Sequence, residues 1–202
     1  MHNRLLALAW RIGAVVLSLR YAVVAEGAEN VPEKGAVLLL GNHVSWLDWM
    51  LVQIPLRRRL RFLMDKGIYE WKSLHWMFRF GRVIPISPRA AKGAFVAAQK
   101  ALQAGEAVAI FPEGAITRSC ETEKFYRGFE IIAQQVGQGV IVPFYIDGMC
   151  GSVWSYSAEH YVPRRRGWRR VVTVVYGKPM PIGSDAAAVR EAVVALKENF
   201  AQ

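Results

Sequence analysis

Apolar residues in this chain fall into short blocks bounded by glycine and proline, and the blocks alternate between two periods. Ala36–Leu40 and Ala107–Phe111 are uninterrupted apolar runs, ended by Gly41 and by Pro112 with Gly114. Runs of that length with those boundaries predict strands buried on both faces. Tyr21–Glu26, Leu60–Met64, Val83–Ile86, Val140–Ile146 and Val171–Tyr176 predict further strands, with a turn over N-V-P-E-K-G after Gly27. Between them the spacing becomes helical. One helix is predicted from about Trp46 and another over 68–80, carrying Trp71, Leu74, Trp76, Met77 and Phe80. An Ala-rich helix follows Pro88 over 90–104 and is closed by Gly105; two more are predicted near Gly128–Val136 and from Asp185. Strands alternating with helices predict the α/β class: a single domain with a central, mostly buried sheet flanked by helices. A length of 202 residues suits one such domain.

The first twenty residues stand apart. Arg4, Arg11 and Arg20 flank two short apolar runs that include Trp10. Neither run approaches the ~20 residues needed to span a bilayer. Arg11 interrupts any signal-peptide core, and no A-x-A cleavage site follows. The segment is predicted to lie in a membrane surface, with Trp10 and the arginines at headgroup level. A helix packed on the core would show the same pattern. The chain thus divides into residues 1–20, a membrane-associated helix, and an α/β domain over 21–202.

Charge narrows the choice of partner. The formal net charge is +10, and the sharpest basic clusters are Arg57-Arg58-Arg59 and R-R-R-G-W-R-R over Arg164–Arg170. Such an excess suits a nucleic acid, an anionic membrane or a phosphorylated substrate. Cys120 and Cys150 show no paired spacing and no Cys/His cluster. They read as free thiols in a reducing compartment, with no metal site.

Two segments carry chemistry. The first is Asn42-His43-Val44-Ser45-Trp46-Leu47-Asp48, just past a buried strand, where α/β sheets place their sites. Five residues on one continuous helix would leave His43 and Asp48 ~140° apart. They meet only if His43 lies in the turn before the helix, with Ser45 as N-cap and Asp48 at the third helical position. Asp48 then fixes the imidazole tautomer, as a general base for a hydroxyl requires. Ser45-x-x-Asp48 equally fits a plain helix-capping pattern. The second segment is Phe111-Pro112-Glu113-Gly114. Its glycine allows a tight turn whose backbone N–H groups can hold a phosphate or oxyanion, with Arg118 and Lys124 nearby; an ordinary strand-ending turn fits as well.

N-H-x-x-W-L-D followed about seventy residues later by F-P-E-G resembles the glycerolipid acyltransferase family, whose members acylate glycerol-3-phosphate, 1-acylglycerol-3-phosphate and lysophospholipids. The resemblance runs from about Val23 to Gly148. It implies that His43 is the general base and Asp48 its orienting partner, and that Glu113 and Gly114 belong to the glycerophosphate-binding motif. Gly81–Ile86, containing Arg82, resembles an intermediate motif that ends in a phosphate-binding arginine; Ser87-Pro88 intervene here before Arg89. Lys66 matches a lysine found between these motifs, and Val142-Pro143 resembles the last motif. The family commonly has arginine two residues after the F-P-E-G glycine; here Ile116 holds that position and Arg118 follows. F-P-E-G-x-I-T-R resembles lysophospholipid acyltransferases fused to acyl–carrier-protein synthetases or lipid flippases.

The implied function is transfer of a fatty acyl group from acyl-CoA or acyl-ACP to a lysophospholipid or 1-acylglycerol-3-phosphate. No bound cofactor or metal is expected. The expected partners are the lipid, an anionic membrane surface on its cytoplasmic face and an acyl carrier protein, rather than nucleic acid. A thioester hydrolase and a basic membrane- or nucleic-acid-binding module without catalysis are the rival readings.

Overall fold

The fully apolar run at Val37–Gly41 becomes the centre of the sheet. Every residue of this strand is buried, and its side chains alternate between two cores. Val37 and Leu39 face one side; Leu38 and Leu40 face the other, as the two-residue strand period requires. The computed structural model describes residue 13 and residues 15–157 and 169–198.

In chain order the elements are α1 (residues 15–20), β1 (Tyr21–Glu26), β2 (Val37–Gly41), α2 (Asp48–Gln53), β3 (Leu60–Asp65), α3 (Lys66–Tyr69), α4 (His75–Phe80), β4 (Ile84–Ile86), α5 (Ala91–Gln103), β5 (Ala107–Ile110), α6 (Gly128–Gln134), β6 (Val140–Asp147), β7 (Arg170–Tyr176), β8 (Met180–Pro181) and α7 (Ala186–Glu198). Short 3-10 turns over Ala28–Asn30 and Pro88–Ala90 precede β2 and α5. The sheet order is β1-β7-β6-β2-β5-β3-β4, with β8 paired to β6. β6, β2, β5, β3 and β4 run parallel to one another. β7 is antiparallel to β6 and parallel to β1. The sheet is mixed, and the α/β single-domain expectation holds.

Helices cover both faces. Ala94, Ala98, Ala101 and Leu102 of α5 recur at helical spacing and pack with Phe129 and Ile132 of α6 and Val189 and Val193 of α7 against one face. Leu17 of α1 and Leu51 and Val52 of α2 cover the other. Tyr176 ends β7 inside that second core, where its hydroxyl donates to the Val52 carbonyl at 2.6 Å.

Three local expectations change. The helix predicted over 68–80 is two helices, because a turn held by Trp71 separates them: the Leu74 and His75 N–H groups both bond the Trp71 carbonyl. The helix predicted from Trp46 begins at Asp48. Cys120 and Cys150 are not free thiols but a disulfide, with Cα atoms 5.6 Å apart. A separation of 30 residues carries no pairing signal in sequence; the bond forms because β5 and β6 both flank β2, so the loops that follow them meet.

Topology also gathers distant segments. The loops after β2, β3, β4, β5 and β6 all open at one edge. β1 and β7 run oppositely, so their first residues, Tyr21 and Arg170, start at that same edge. Residues 1–12, which carry most of the segment read as membrane-associated, lie outside the described residues, as do residues 158–168, which include the first five positions of the basic run. No described helix is long and apolar enough to cross a membrane.

Gly41 is the last residue of β2, paired with Phe144 of β6. A Cβ there would meet the Phe144 ring and carbonyl oxygen. Gly41→Ala is predicted to destabilise the fold by about 3 kcal/mol, measured by urea unfolding; wild-type stability would show that the β2–β6 ladder is looser than described.

Candidate active site

The site starts where β2 stops. Asn42 extends the β2–β6 ladder with its side chain: its Nδ2 donates to the Ile146 carbonyl at 3.0 Å and its Oδ1 accepts from the Ile146 N–H at 2.8 Å. The chain then leaves the sheet, and His43 sits in the turn before α2. Asp48 is the first residue of α2 and is fully buried. Its Oδ2 accepts from His43 Nδ1 at 2.8 Å, from Val44 N–H at 2.7 Å and from Ser45 N–H at 2.9 Å. Its Oδ1 accepts from the Ser45 hydroxyl. Ser45 is therefore not the N-cap. Leu47 holds that position without a side-chain cap bond, and the Ser45 oxygen accepts from Leu47 N–H at 3.2 Å. The residues of a capping pattern instead wrap a carboxylate.

A carboxylate accepts only, so in the neutral imidazole the Nδ1–Asp48 bond places the proton on Nδ1 and the lone pair on Nε2. The His43 side chain is 21% exposed. Its ring stacks on Phe111 with centroids 4.1 Å apart and planes at 15°. Phe111 in turn contacts Phe62 and Phe144. A buried carboxylate on one nitrogen and an aromatic wall under the ring leave Nε2 at the open edge.

The loop after β5 closes over this turn. Thr117 N–H donates to the His43 carbonyl at 2.8 Å, and His43 N–H donates to Glu113 Oε1 at 3.3 Å. Gly114 adopts φ 73°, a left-handed conformation suited to glycine, and its N–H bonds the Phe111 carbonyl at 3.1 Å. That N–H is therefore committed to the turn.

The profile of the family described as Acyltransferase matches residues 22–147, well over half of the chain. The chain belongs to the acyltransferase family. Among curated relatives, it is 26% identical to a 1-acyl-sn-glycerol-3-phosphate acyltransferase of Borreliella burgdorferi over 122 residues, 59% of this chain and 49% of that protein. It is 29% identical to the Bacillus subtilis protein of the same name over 134 residues, 64% of each. The matches thus span about half to just under two thirds of those relatives. The fold is similar to the crystal structure of the 1-acyl-sn-glycerophosphate (LPA) acyltransferase PlsC from Thermotoga maritima, with TM-score 0.73 and 20% identity, covering 98% of this chain and 79% of that one.

Within this acyltransferase domain the predicted phosphate residues separate into two groups. Arg118, Lys66 and Arg89 follow β5, β3 and β4, so all three lie at the His43 edge. Arg118 is exposed and belongs to the loop bonded to His43, after the strand adjacent to β2. Lys66 is 60% exposed and pairs with Glu70 at 3.6 Å. Arg89 is exposed beside the outermost strand, β4, roughly 14 Å across the sheet from β2 at ~4.8 Å per strand. Arg82 is not brought to this site. It precedes β4, so it opens at the opposite edge, where it pairs with Glu106 at 2.8 Å. Arg58 of the Arg57–Arg59 cluster is at that far edge too and donates to the Pro32 and Gly105 carbonyls.

Four further residues shape the site. Asn42 stands in the N-H-x-x-W-L-D motif, and its side chain ties the His43 turn to β6. Ser45 was read as a cap. Phe111 and Thr117 stand in F-P-E-G-x-I-T-R, a motif that does not indicate the ring stack or the backbone bond they make with His43.

Glu113 is 5% exposed, and its Oε2 has no hydrogen-bond partner among the described residues. Burial pushes its carboxyl up to about 8; the backbone N–H groups of His43 and Glu123 oppose this, and the Glu123 and Asp48 carboxyls reinforce it. An ordinary glutamate ionises near 4.5. The folded chain therefore holds an extra proton between those values, and this group's contribution to stability falls as pH rises through that window. The predicted slope approaches about 1.4 kcal/mol per pH unit. Urea unfolding at pH 5 and pH 8 should show that Glu113→Gln removes this loss. An unchanged pH dependence would mean that the carboxyl is not held neutral.

Proposed function

We propose that this chain is an O-acyltransferase that moves a fatty acyl group from acyl-CoA or acyl-ACP to the hydroxyl of 1-acylglycerol-3-phosphate or a lysophospholipid. The observation that carries the proposal is the His43–Asp48 geometry: Nδ1–H is held by a buried carboxylate, on a side chain that is 21% exposed, and no bond to Nε2 is found among the described residues. The names of the curated relatives support the 1-acylglycerol-3-phosphate acceptor.

The acceptor hydroxyl binds with its proton toward His43 Nε2. As its oxygen attacks the thioester carbonyl carbon, Nε2 takes the proton and the imidazolium is stabilised by Asp48. The tetrahedral intermediate collapses with cleavage of the C–S bond. The departing thiolate takes the proton back from His43, giving an ester and a free thiol. The substrate supplies the nucleophile, so no enzyme serine or cysteine is needed. Arg118 is the leading phosphate ligand, because its loop is bonded to the His43 turn; Lys66 and Arg89 extend the same cationic rim. Holding the phosphate positions the hydroxyl, so remote charge contributes to rate as well as affinity.

The reading places the enzyme at a membrane, on its cytoplasmic face. Exposed Trp71, Trp76, Val153, Trp154 and Tyr156 support it, since they follow β3 and β6 at the catalytic edge and amphipathic rings favour membrane interfaces. Arg169 and Arg170 start β7 at this edge, and Arg20 precedes β1 there. An acyl carrier protein remains a candidate donor, although Arg58 is engaged at the far edge and lends it no docking surface beside His43.

Transfer from acyl-CoA to 1-acylglycerol-3-phosphate, followed by mass spectrometry of the product, tests this directly. His43→Ala is predicted to lower kcat by about 10²–10⁴. Arg118→Ala should raise the acceptor KM roughly tenfold through loss of a charge-assisted contact. Near-normal turnover by His43→Ala would refute the mechanism, and release of free fatty acid without an acceptor would point to a hydrolase.

A further inference from the structure

Three loops at the catalytic edge are joined in a ring. The loop after β5 bonds the His43 turn twice, through Thr117 N–H to the His43 carbonyl at 2.8 Å and through Glu113 from the His43 N–H. The loop after β6 bonds the same turn through Trp46 N–H, which donates to the Trp154 carbonyl at 3.1 Å. Trp46 also stacks on Trp71 and meets Tyr156 edge-on. The third side of the ring is covalent: Cys120 in the β5 loop is bonded to Cys150 in the β6 loop.

Cys120 lies two residues after Arg118, and Cys150 lies in a tightly bonded loop. The Cys150 carbonyl accepts from Arg170, and Gly151 N–H donates to the Ser157 hydroxyl at 3.1 Å. On the Cys120 side the flanking residues are held by the Thr117 and Ser119 hydroxyls, which donate to Glu123, by Arg190, which donates to the Thr122 and Glu123 carbonyls, and by the exposed Lys197–Glu121 pair. Among the described residues none of these bonds is made by the Cys120 backbone itself. Cys120 also sits at φ 65°, a left-handed conformation that is unfavourable for a residue with a Cβ. The bond therefore holds a conformation that the segment would otherwise leave. Asp48, by contrast, is held entirely by residues 43–45 and stays in place without the ring.

We propose that the Cys120–Cys150 disulfide positions the Arg118 segment against His43, so that acceptor binding depends on the thiol state of the protein. Cys120 and Cys150 are positioning residues, and the proposal rests on the transferase reading above. Opening the bond is a two-electron exchange with a dithiol. One thiolate of the reductant attacks a protein sulfur and breaks the S–S bond; its second thiol resolves the mixed disulfide. Two protein thiols remain, and the reductant leaves as its own disulfide. Reducing compartments open such bonds and oxidising ones keep them, so an enzyme on a cytoplasmic face would bind its acceptor less tightly than the bridged form.

The test uses the full chain, oxidised and dithiothreitol-treated, beside a Cys120→Ser/Cys150→Ser double variant. Thiols are counted by alkylation and mass spectrometry. Reduction and the double variant should each raise the KM for 1-acylglycerol-3-phosphate about fivefold, with kcat within about twofold and the acyl-CoA KM unchanged. Reoxidation should restore the wild type, and dithiothreitol should not affect the variant. Two verified thiols with an unchanged acceptor KM would overturn the proposal. So would an equal fall in kcat, both substrate affinities and Tm, which marks a merely structural bond. If no ester forms in either state, the transferase reading fails separately. Calorimetric binding of 1-acylglycerol-3-phosphate then decides: weaker binding on reduction supports the positioning role, and equal binding overturns it.

Discussion

Asp48 is a buried carboxylate, and the arrangement of the catalytic edge follows from the need to satisfy it. A carboxylate removed from water is tolerated only when hydrogen bonds replace its hydration. The protein supplies them from three successive residues: the His43 ring, the Val44 and Ser45 N–H groups and the Ser45 hydroxyl. Its place in the first turn of α2 adds the favourable end of the helix dipole. To deliver those donors the chain must turn sharply between β2 and α2, and that turn presents His43 with one nitrogen engaged and the other open. The His43 geometry and the local fold are thus one requirement.

The sheet determines what else reaches that turn. β2 is central, and its neighbours β5 and β6 send their following loops to either side of His43. One loop carries Glu113, Thr117 and Arg118; the other carries Trp154 and Cys150. Because both strands run parallel to β2, neither loop has to cross the sheet. The same rule removes Arg82, which precedes its strand and opens at the far edge with Glu106. Strand direction, more than sequence distance, decides which cations share the edge with His43.

Much of this was legible in the chain. The continuous apolar runs Ala36–Leu40 and Ala107–Phe111 marked the buried parallel strands Val37–Gly41 and Ala107–Ile110, because burial on both faces leaves no alternation to disguise them. His43 and Asp48 were legible as a pair through the ordered N-H-x-x-W-L-D and F-P-E-G motifs, since their spacing alone fits a helix cap equally well. Their helical register was not. Placing Ser45 at the cap followed ordinary capping preference, whereas the demand of a buried carboxylate for donors governs the actual turn. The break near Trp71 was hidden for a related reason: its apolar spacing reads as one helix, while its side chain stacks on Trp46. The disulfide and the Asn42 bridge join segments far apart in sequence, and only strand order brings them together. Phe111 was visible only as the residue before Pro112, with nothing to indicate that His43 lies on it.

The central claim is that Asp48 fixes the His43 tautomer. Nitrogen-15 NMR of the chain labelled in histidine, at a pH where the imidazole is neutral, measures this directly. The account predicts that the His43 Nδ1 resonance carries a directly bonded proton, that Nε2 does not, and that Asp48→Ala abolishes the preference. A His43 ring protonated mainly on Nε2 in the wild-type protein would contradict it.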